Sequence, residues 1–254
     1  MKDNIKKDNR KALPKFLLMM LCAAVVGGVL GFLTGYFGEQ DAAVVIELAA
    51  DSFFTVIAPW AIPVTGAVLL GAALWYYVGA KRLIAAWDGE DEDTVDAAEE
   101  KLNWVLLLTT VQLLLDFFFF SAAVIYWVPG LLVILAEIAS FLVSIALLIV
   151  IQQKVVDLTR KLNPEKQGSI YDLKFKKKWM NSCDEAEQKQ IGQAAFKAYN
   201  VLNVTCPILW VVLVLLSFIL DISLLPSFLV LLVWGVQSIT YIAECIRMQQ
   251  KSLP

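Results

Sequence analysis

Two carboxylic acids, Asp116 and Glu137, interrupt long apolar segments of this sequence. Thr109 and Gln112 precede Asp116 at helical spacing, so these three polar side chains share one face of a helix. A charged group in hydrocarbon costs at least ~2.5 kcal/mol, and each acid is therefore expected to be protonated, to face a bundle interior or to find a partner. Such acids can mark a path for a proton, a cation or a solute, or they can join helices by hydrogen bonds. The residues alone leave both interpretations open.

Two further polar faces have the same helical spacing. One comprises Glu137, Ser140 and Ser144, and the other comprises Gln237, Tyr241 and Glu244. No Lys or Arg lies within the apolar segments, so none can pair there with the acids. The intramembrane polar candidates are accordingly Asp116, Glu137, Gln112 and Glu244.

The residue patterns of common enzyme classes are missing. The chain has no histidine, which removes the commonest general base and makes an H-E-x-x-H metal motif impossible. Neither G-x-S-x-G nor a Walker A motif occurs. The four cysteines, Cys22, Cys183, Cys206 and Cys245, show no C-x-x-C spacing. We predict a non-enzymatic protein that has no metal site and no cofactor.

The hydropathy of the chain is typical of a membrane protein. Its 254 residues are 59% hydrophobic, and the mean hydropathy is +0.68. About 20 helical residues cross the hydrocarbon core, where a helix satisfies its own backbone. We predict an all-α membrane protein, a single domain of residues 1–254 whose six transmembrane helices lie near residues 16–37, 53–80, 104–127, 131–151, 201–220 and 226–246.

The connections predict that these helices form three antiparallel hairpins. The turns at residues 128–130 and 221–225 are very short, whereas the connection in the first hairpin, residues 38–52, is long enough for a short surface helix. Pro59 and Pro63 lie near the start of span two and are expected to kink or break it.

The positions of Lys and Arg predict the orientation. All 21 lie in a tail of residues 1–15, in loops of residues 81–103 and 152–200, or after the last span. Since positive residues stay on the cytoplasmic side, we predict a multi-pass protein of the cell membrane with both termini and both loops in the cytoplasm.

Two segments of the sequence resemble each other. Residues 97–154 align with residues 194–251 without a gap, and 14 of the 58 positions are identical. The offset contains two spans, so the pattern favours a parallel internal repeat. Leu213 and Trp234 correspond to Asp116 and Glu137, which argues against a site built symmetrically from both copies.

Small residues follow one face of the first span. Ala23, Gly27, Gly31 and Gly35 are four residues apart, a spacing that lets another helix approach closely. The partner could be a helix of this bundle or a second copy of the chain.

The longer cytoplasmic loop combines a basic cluster with aromatic residues. Lys174, Lys176, Lys177 and Lys178 are interleaved with Tyr171, Phe175 and Trp179, which recur every four residues. One interpretation is an aromatic helix face that lies on the inner leaflet while the lysines contact anionic lipid; the other is topology determination alone. We expect no direct binding of nucleic acid. The acidic loop at residues 88–100 is either a solvated charge run or part of a surface for a soluble partner.

A capping pattern follows the basic cluster. Ser182 and Glu185 match a capping box, which predicts a helix that runs directly into span five. Capping requires neither Trp179 nor Cys183, so these two residues, together with Asp184 and Glu185, are the candidates for contact with a partner. A packed membrane-proximal turn is the alternative.

The same stretch carries a family resemblance. It runs from Asn163-Pro164-Glu165-Lys166 through Lys178-Trp179-Met180-Asn181-Ser182-Cys183-Asp184-Glu185-Ala186-Glu187 to Ala195-Phe196-Lys197-Ala198-Tyr199. With the basic tail and glycine-rich first span, it resembles the domain of unknown function 3169 family of bacterial membrane proteins. The resemblance implies six membrane helices. It implies no catalytic residue, because the family has no established activity.

The sequence therefore predicts a regulatory or accessory membrane protein that acts through its cytoplasmic loops on a regulator or a transport protein. The alternative is a small transporter or channel that uses the intramembrane carboxylates.

Overall fold

The protein is all-helical in the part of the chain that its computed structural model describes. Residues 40–126, 131–220 and 223–251 are described, together with separate positions between 14 and 29. These residues contain no strand and form six helices: α1 (Gln40–Ala86), α2 (Glu92–Ile125), α3 (Leu131–Leu162), α4 (Phe175–Asn181), α5 (Glu185–Leu220) and α6 (Leu225–Lys251).

Five of these helices are long and apolar enough to cross a membrane. Their apolar parts are Leu48–Ala86, Glu92–Ile125, Leu131–Leu162, Glu185–Ser217 and Leu225–Gln249. Large apolar side chains lie on their outer faces, and Leu132, for example, is 82% exposed and Trp60 70%. Such surfaces fit lipid as the surrounding solvent, so the predicted all-α, multi-pass class is confirmed.

Several predictions fall outside the described residues. Most of the first span, residues 16–37, is one of them, and with it the small-residue face of Ala23, Gly27, Gly31 and Gly35; the separate described positions of this span are helical. The turn at residues 128–130 is also outside, as is the start of the turn at residues 221–225.

The second span differs from its prediction. α1 is one helix of 47 residues that includes most of the connection predicted at residues 38–52. Pro59 and Pro63 lie inside α1, so the helix is not broken there, and the alternative of a kink stays a prediction. Each proline removes only one backbone hydrogen bond, and the bonds on either side maintain the helix.

The acidic segment before α2 forms the start of that helix. Asp91 is its N-cap, and its carboxylate accepts hydrogen bonds from the Asp93 amide and the Thr94 hydroxyl. The Asp88 carboxylate accepts from the amides of Glu90 and Asp91, at 3.0 and 3.1 Å. These two hydrogen bonds lower the pKa of Asp88. Part of the acidic run therefore has a structural role.

The described residues fall into two compact units. The larger is Leu48–Ile191, and the other comprises the described residues of Met1–Glu47 and Gly192–Pro254. The core of the larger unit contains nine buried apolar side chains: Leu70, Ala73 and Ala80 from α1, Leu102 and Val105 from α2, and Leu148, Ile151, Val155 and Leu158 from α3. α2 and α3 pack along each other, and this three-helix core holds the polar residues described below.

In the other unit, α5 contacts α6. The Trp234 indole N–H donates a hydrogen bond to Asn203 Oδ1 at 2.8 Å. The rings of Tyr199 and Tyr241 stack with their centroids 4.2 Å apart.

Candidate functional site

Asp116 is the centre of a buried polar cluster in the larger unit. Its side chain has no solvent exposure. Gln112 Nε2 donates a hydrogen bond to Asp116 Oδ1 at 2.7 Å, and Ser144 Oγ donates to Asp116 Oδ2 at 2.6 Å. Gln112 Nε2 also donates to Thr65 Oγ1 at 3.2 Å. Asp116, Gln112, Ser144 and Thr65, called the Asp116 network below, thus connect α1, α2 and α3.

One acceptor of the Asp116 network has no partner. Both N–H groups of the Gln112 amide are used, but Gln112 Oε1 is buried without a hydrogen-bond partner among the described residues. The described ion pairs include none to Asp116. The network thus contains a buried carboxyl group, two donors and one vacant acceptor, a set that could hold a proton or a small polar species.

The polar face of α2 continues beyond the Asp116 network toward the lysine- and arginine-rich end. Thr109 is fully buried one turn from Gln112, and its hydroxyl accepts a hydrogen bond from Gln152 Nε2 at 3.3 Å. Because Thr109 pairs with Gln152 and Asp116 with Ser144, α2 and α3 run antiparallel. The hydroxyl of Thr109 itself donates to the Leu106 carbonyl at 3.0 Å.

Glu137 lies on the other side of the Asp116 network. It is buried two turns from Ser144 on α3, and its Oε2 has no partner among the described residues. It lines a cavity of about 130 Å³ whose other walls are apolar side chains such as Phe120 and Ile134. Glu137 is therefore in line with the Asp116 network but not hydrogen-bonded to it.

The third predicted polar face is in the other unit. Gln237 Nε2 donates to the Tyr199 carbonyl at 3.4 Å. Glu244 is exposed and forms an ion pair with Arg247 at 3.3 Å, one turn further along α6. The environment of Glu244 is thus unlike that of the buried acids Asp116 and Glu137.

A second site is a cavity at the lysine- and arginine-rich end of the larger unit. Its volume is about 680 Å³. α2 contributes Glu99 and Asn103, and α3 contributes Gln152 and Thr159. Asn163, just after the end of α3, and the chain from Lys166 to Ile191 provide the remaining wall. Trp179 and Cys183 belong to that wall, so the cavity is called the motif cavity below. Gln152, one of its polar lining residues, also hydrogen-bonds Thr109 of the polar face that leads to Asp116.

Lys166 forms a buried ion pair in the wall of the motif cavity. It is 3% exposed, and its ammonium contacts the Glu187 carboxylate. Burial acts to lower the pKa of Lys166, but the hydrogen bond and charge of Glu187, with a smaller contribution from Cys183, raise it above its ordinary value. Cys183 is itself buried. Cys183 therefore lies beside the Lys166–Glu187 ion pair.

The capping box of α5 differs from its prediction. The Glu187 amide donates to Asp184 Oδ1 at 2.8 Å, and the Asp184 amide donates to Glu187 Oε2 at 3.0 Å. The cap is therefore Asp184 with Glu187, and not Ser182 with Glu185. Ser182 ends α4 instead, where its amide donates to the Lys178 carbonyl. The predicted continuity of this helix into span five is confirmed by α5.

The aromatic side chains of the basic segment divide into two groups. Phe175 and Trp179 are half-buried and line the motif cavity, with their ring centroids 5.5 Å apart. Phe175 also packs on Gly168, whose φ is +127° and where an added Cβ would lie only 2.8 Å from the ring, so a larger residue is strained there. Tyr171 precedes α4 and is 67% exposed. The predicted single aromatic face of Tyr171, Phe175 and Trp179 is therefore wrong, because α4 starts only at Phe175.

The four lysines of the basic cluster are all exposed. Lys178 pairs with Asp172 at 2.5 Å. The hydrogen bond from Lys178 lowers the pKa of Asp172. Lys174, Lys176 and Lys177 form no ion pair among the described residues, and Lys176 alone of these three lines the motif cavity.

Pairings between distant positions were not predicted from the sequence. Lys166 and Glu187 both occur in the stretch that carries the family resemblance, yet their ion pair was not expected. A second capping pattern, Asp184 to Glu187, was visible in the sequence and could have identified the helix start. No sequence pattern indicated that Thr65 or Gln152 would hydrogen-bond to the polar face of α2.

These features define an all-helical, multi-pass membrane protein with a buried acidic network and a cavity at one end. The chain belongs to the family described as "Protein of unknown function (DUF3169)", whose profile matches residues 10–245. No curated protein and no solved structure matches the chain.

Proposed function

We propose that the chain crosses the cell membrane six times, with both termini in the cytoplasm. Five apolar helices and the apolar run at residues 16–37 support the number of spans. All Lys and Arg residues lie at one end of these spans, which supports the orientation. α2 with α3 and α5 with α6 occupy corresponding parts of residues 97–154 and 194–251, as expected for parallel repeats of one helical hairpin.

Cysteine labelling tests this orientation. In a chain whose native cysteines are replaced by serine, Glu165→Cys introduces a thiol at an exposed position between α3 and α4, and Ser223→Cys introduces one between α5 and α6. An impermeant maleimide added to intact cells is expected to label position 223 at once and position 165 only after permeabilisation. The reverse pattern would contradict the proposed sidedness.

We propose that the protein is a non-enzymatic regulatory or accessory protein and that the motif cavity is its recognition site for a cytoplasmic regulator or a transport protein. The observation that carries this proposal is the composition of the cavity wall. Trp179 and Cys183 of the family motif, together with the Lys166–Glu187 pair, line one cavity with the ends of α2 and α3.

The wall of the motif cavity has the properties of a recognition site. Recognition sites combine apolar walls with a few convergent polar groups. Here Leu102, Val156 and Met180 are among the apolar residues, whereas Asn163 and Gln190 supply polar groups. The ion pair inside the wall holds α5 close to the segment that precedes α4, so the cavity is formed before a partner arrives.

Site-specific photo-crosslinking tests recognition by the motif cavity. A photoreactive phenylalanine analogue at Lys176, which lines the cavity, is compared with the same analogue at exposed Lys177, which does not. Position 176 is expected to form a discrete adduct in cells, and Trp179→Ala is expected to reduce its yield several-fold. Equal adducts from the two positions, or none from position 176, would contradict the proposal.

A second function is favoured by the arrangement of the buried polar groups. Gln152 in the motif cavity, Thr109, the Asp116 network and Glu137 follow each other along α2 and α3, and cavities lie at both ends of the series. This series supports a proton or small-cation path in which Asp116 is the ionisable group. Proton uptake by proteoliposomes that contain the unchanged chain or the Asp116→Asn variant tests this path.

A further inference from the structure

The chain between α3 and α4 reverses direction and returns along α3. α3 ends at Leu162, and the Lys166 amide donates to the Asn163 carbonyl in the turn that follows. Gln153 Oε1 then accepts two hydrogen bonds from the returning chain, from Ser169 Oγ at 3.0 Å and from the Ile170 amide at 2.8 Å. Ile170 is therefore held beside Gln153, about nine residues below the end of α3.

This return brings the chain to the edge of the apolar part of α3. The apolar run of α3 ends at Ile151, only two residues before Gln153. At about 1.5 Å per residue, Gln153 lies about 3 Å from the end of that run, whereas Leu162 lies about 16 Å from it. The residues that follow Ile170 are thus at the level where hydrocarbon gives way to lipid headgroups.

Two apolar side chains are exposed at this level. Leu173 is 105% exposed and Tyr171 is 67% exposed. They lie on a turn in which the Asp172 amide donates to the Ser169 carbonyl and the Phe175 amide to the Asp172 carbonyl, each at 2.9 Å. A fully exposed leucine on a turn held in place by hydrogen bonds is costly in water but favourable in the interfacial region of a bilayer.

The charge of the same turn matches an anionic lipid surface. Its single acid, Asp172, is paired with Lys178. Lys174, Lys176 and Lys177 remain exposed without an ion pair among the described residues, and exposed Lys154 follows Gln153 on α3. The unpaired charges of the turn and of α4 are therefore positive, while the nearby acid Asp157 on α3 accepts a hydrogen bond from Gln153 Nε2 at 2.8 Å.

We infer that Tyr171 and Leu173 insert into the headgroup region of the leaflet at this end of α3, while Lys174 and Lys177, which do not line the motif cavity, bind anionic lipid headgroups. This anchor differs from the aromatic helix face expected from the sequence, because Phe175 and Trp179 face the motif cavity instead. The inference rests on the proposed membrane placement of α3. Its role is to hold the segment that forms the cavity wall at the membrane surface.

Fluorescence depth measurement tests the anchor in the full chain. An environment-sensitive label is attached to Leu173→Cys in the cysteine-free chain, reconstituted in nanodiscs of phosphatidylcholine with or without phosphatidylglycerol. The matched control is Glu165→Cys, an exposed position in the turn just after α3. With phosphatidylglycerol, the label at position 173 is expected to be quenched by nitroxide lipids and shielded from iodide. The label at position 165 is expected to be quenched by iodide and not by nitroxide lipids.

The contribution of the lysines is tested separately. Each lysine at an anionic surface changes partition by about fivefold, so replacing Lys174 and Lys177 by glutamine should reduce lipid quenching at position 173 to the level in phosphatidylcholine alone. A label at position 173 that iodide reaches in nanodiscs as readily as it reaches the label at position 165 would overturn the inference. So would lipid quenching independent of phosphatidylglycerol. Lipid quenching at position 165 would instead overturn the proposed placement of α3.

Discussion

Proteoliposomes that contain the Asp116→Asn variant are expected to show no proton uptake, whereas the unchanged chain takes up protons when a membrane potential drives them inward. In a path centred on Asp116, its carboxylate takes a proton from one side and releases the same proton to the other. Asparagine has the same shape but cannot carry the proton. The measurement is the quenching of a pH-sensitive dye inside the vesicles after valinomycin is added to a potassium gradient.

The substitution is chosen to preserve the fold. Asparagine can accept the hydrogen bond from Gln112 with its oxygen and donate to Ser144 with its nitrogen, since the serine hydroxyl both donates and accepts. The matched control is Glu244→Gln, which removes an exposed acid that is paired with Arg247 in the other unit. This control should leave proton uptake unchanged.

Two outcomes would exclude a proton path through Asp116. One is equal uptake by the unchanged chain and by Asp116→Asn, and the other is no uptake by the unchanged chain. In either case the Asp116 network would be a helix-packing device. Its hydrogen bonds would then contribute about 0.6 kcal/mol each, as is common between membrane helices.

Replacing Glu187 by glutamine is expected to destabilise the start of α5 by about 3 kcal/mol. This value is at the lower end of the range for breaking a buried ion pair, because Glu187 is partly exposed. Glutamine can still accept the capping hydrogen bond from the Asp184 amide, so the change removes mainly the charge. Lys166 would then remain as a buried cation without its partner. Hydrogen exchange at the first amides of α5 should become about 100-fold faster.

Replacing Lys166, the other member of the ion pair, should destabilise the start of α5 less than replacing Glu187. Lys166→Met leaves Glu187, which is 36% exposed, in contact with water and with its capping amide, so we expect a loss of about 1 kcal/mol or less. Glu185→Gln is the control, because Glu185 is an exposed acid in the same first turn without an ion pair among the described residues. Equal losses from the two members of the pair would contradict the assignment of Lys166 as the buried charge.

The effect of Glu187→Gln should also depend on pH. The pKa of Lys166 is raised in the folded chain from its ordinary value of 10.5. Its charged form is therefore the stabilised one, and the contribution is fully present below pH 10.5 and lost as the pH rises through the folded pKa. The ratio of the hydrogen-exchange rates of the first α5 amides in Glu187→Gln and in the unchanged chain should be constant from neutral pH to about pH 9. This ratio should shrink above pH 10.5.

The helices that can span the membrane were predictable because hydropathy acts locally along the chain. About 20 apolar residues make a span wherever they occur, so α1, α3, α5 and α6 contain their predicted segments and α2 covers residues 104–125 of the predicted 104–127. Pro59 and Pro63 do not break α1, since a helix in lipid has no competing solvent for its backbone and is kept through two prolines.

The start of α5 could not be predicted from local rules alone. Ser182 with Glu185 and Asp184 with Glu187 are overlapping capping patterns of equal quality. The choice depends on α4, whose final turn uses the Ser182 amide and hydroxyl and so leaves Asp184 as the first residue free to cap α5.

The sequence by itself determined which residues can enter a membrane, which helix faces are polar and where positive charge accumulates, because these properties belong to neighbouring residues. Only the tertiary structure decided which distant groups meet: Asp116 with Ser144, Lys166 with Glu187, and Gln153 with Ile170. Each of these contacts depends on how the intervening chain turns, and no local preference of the separate residues specifies that path.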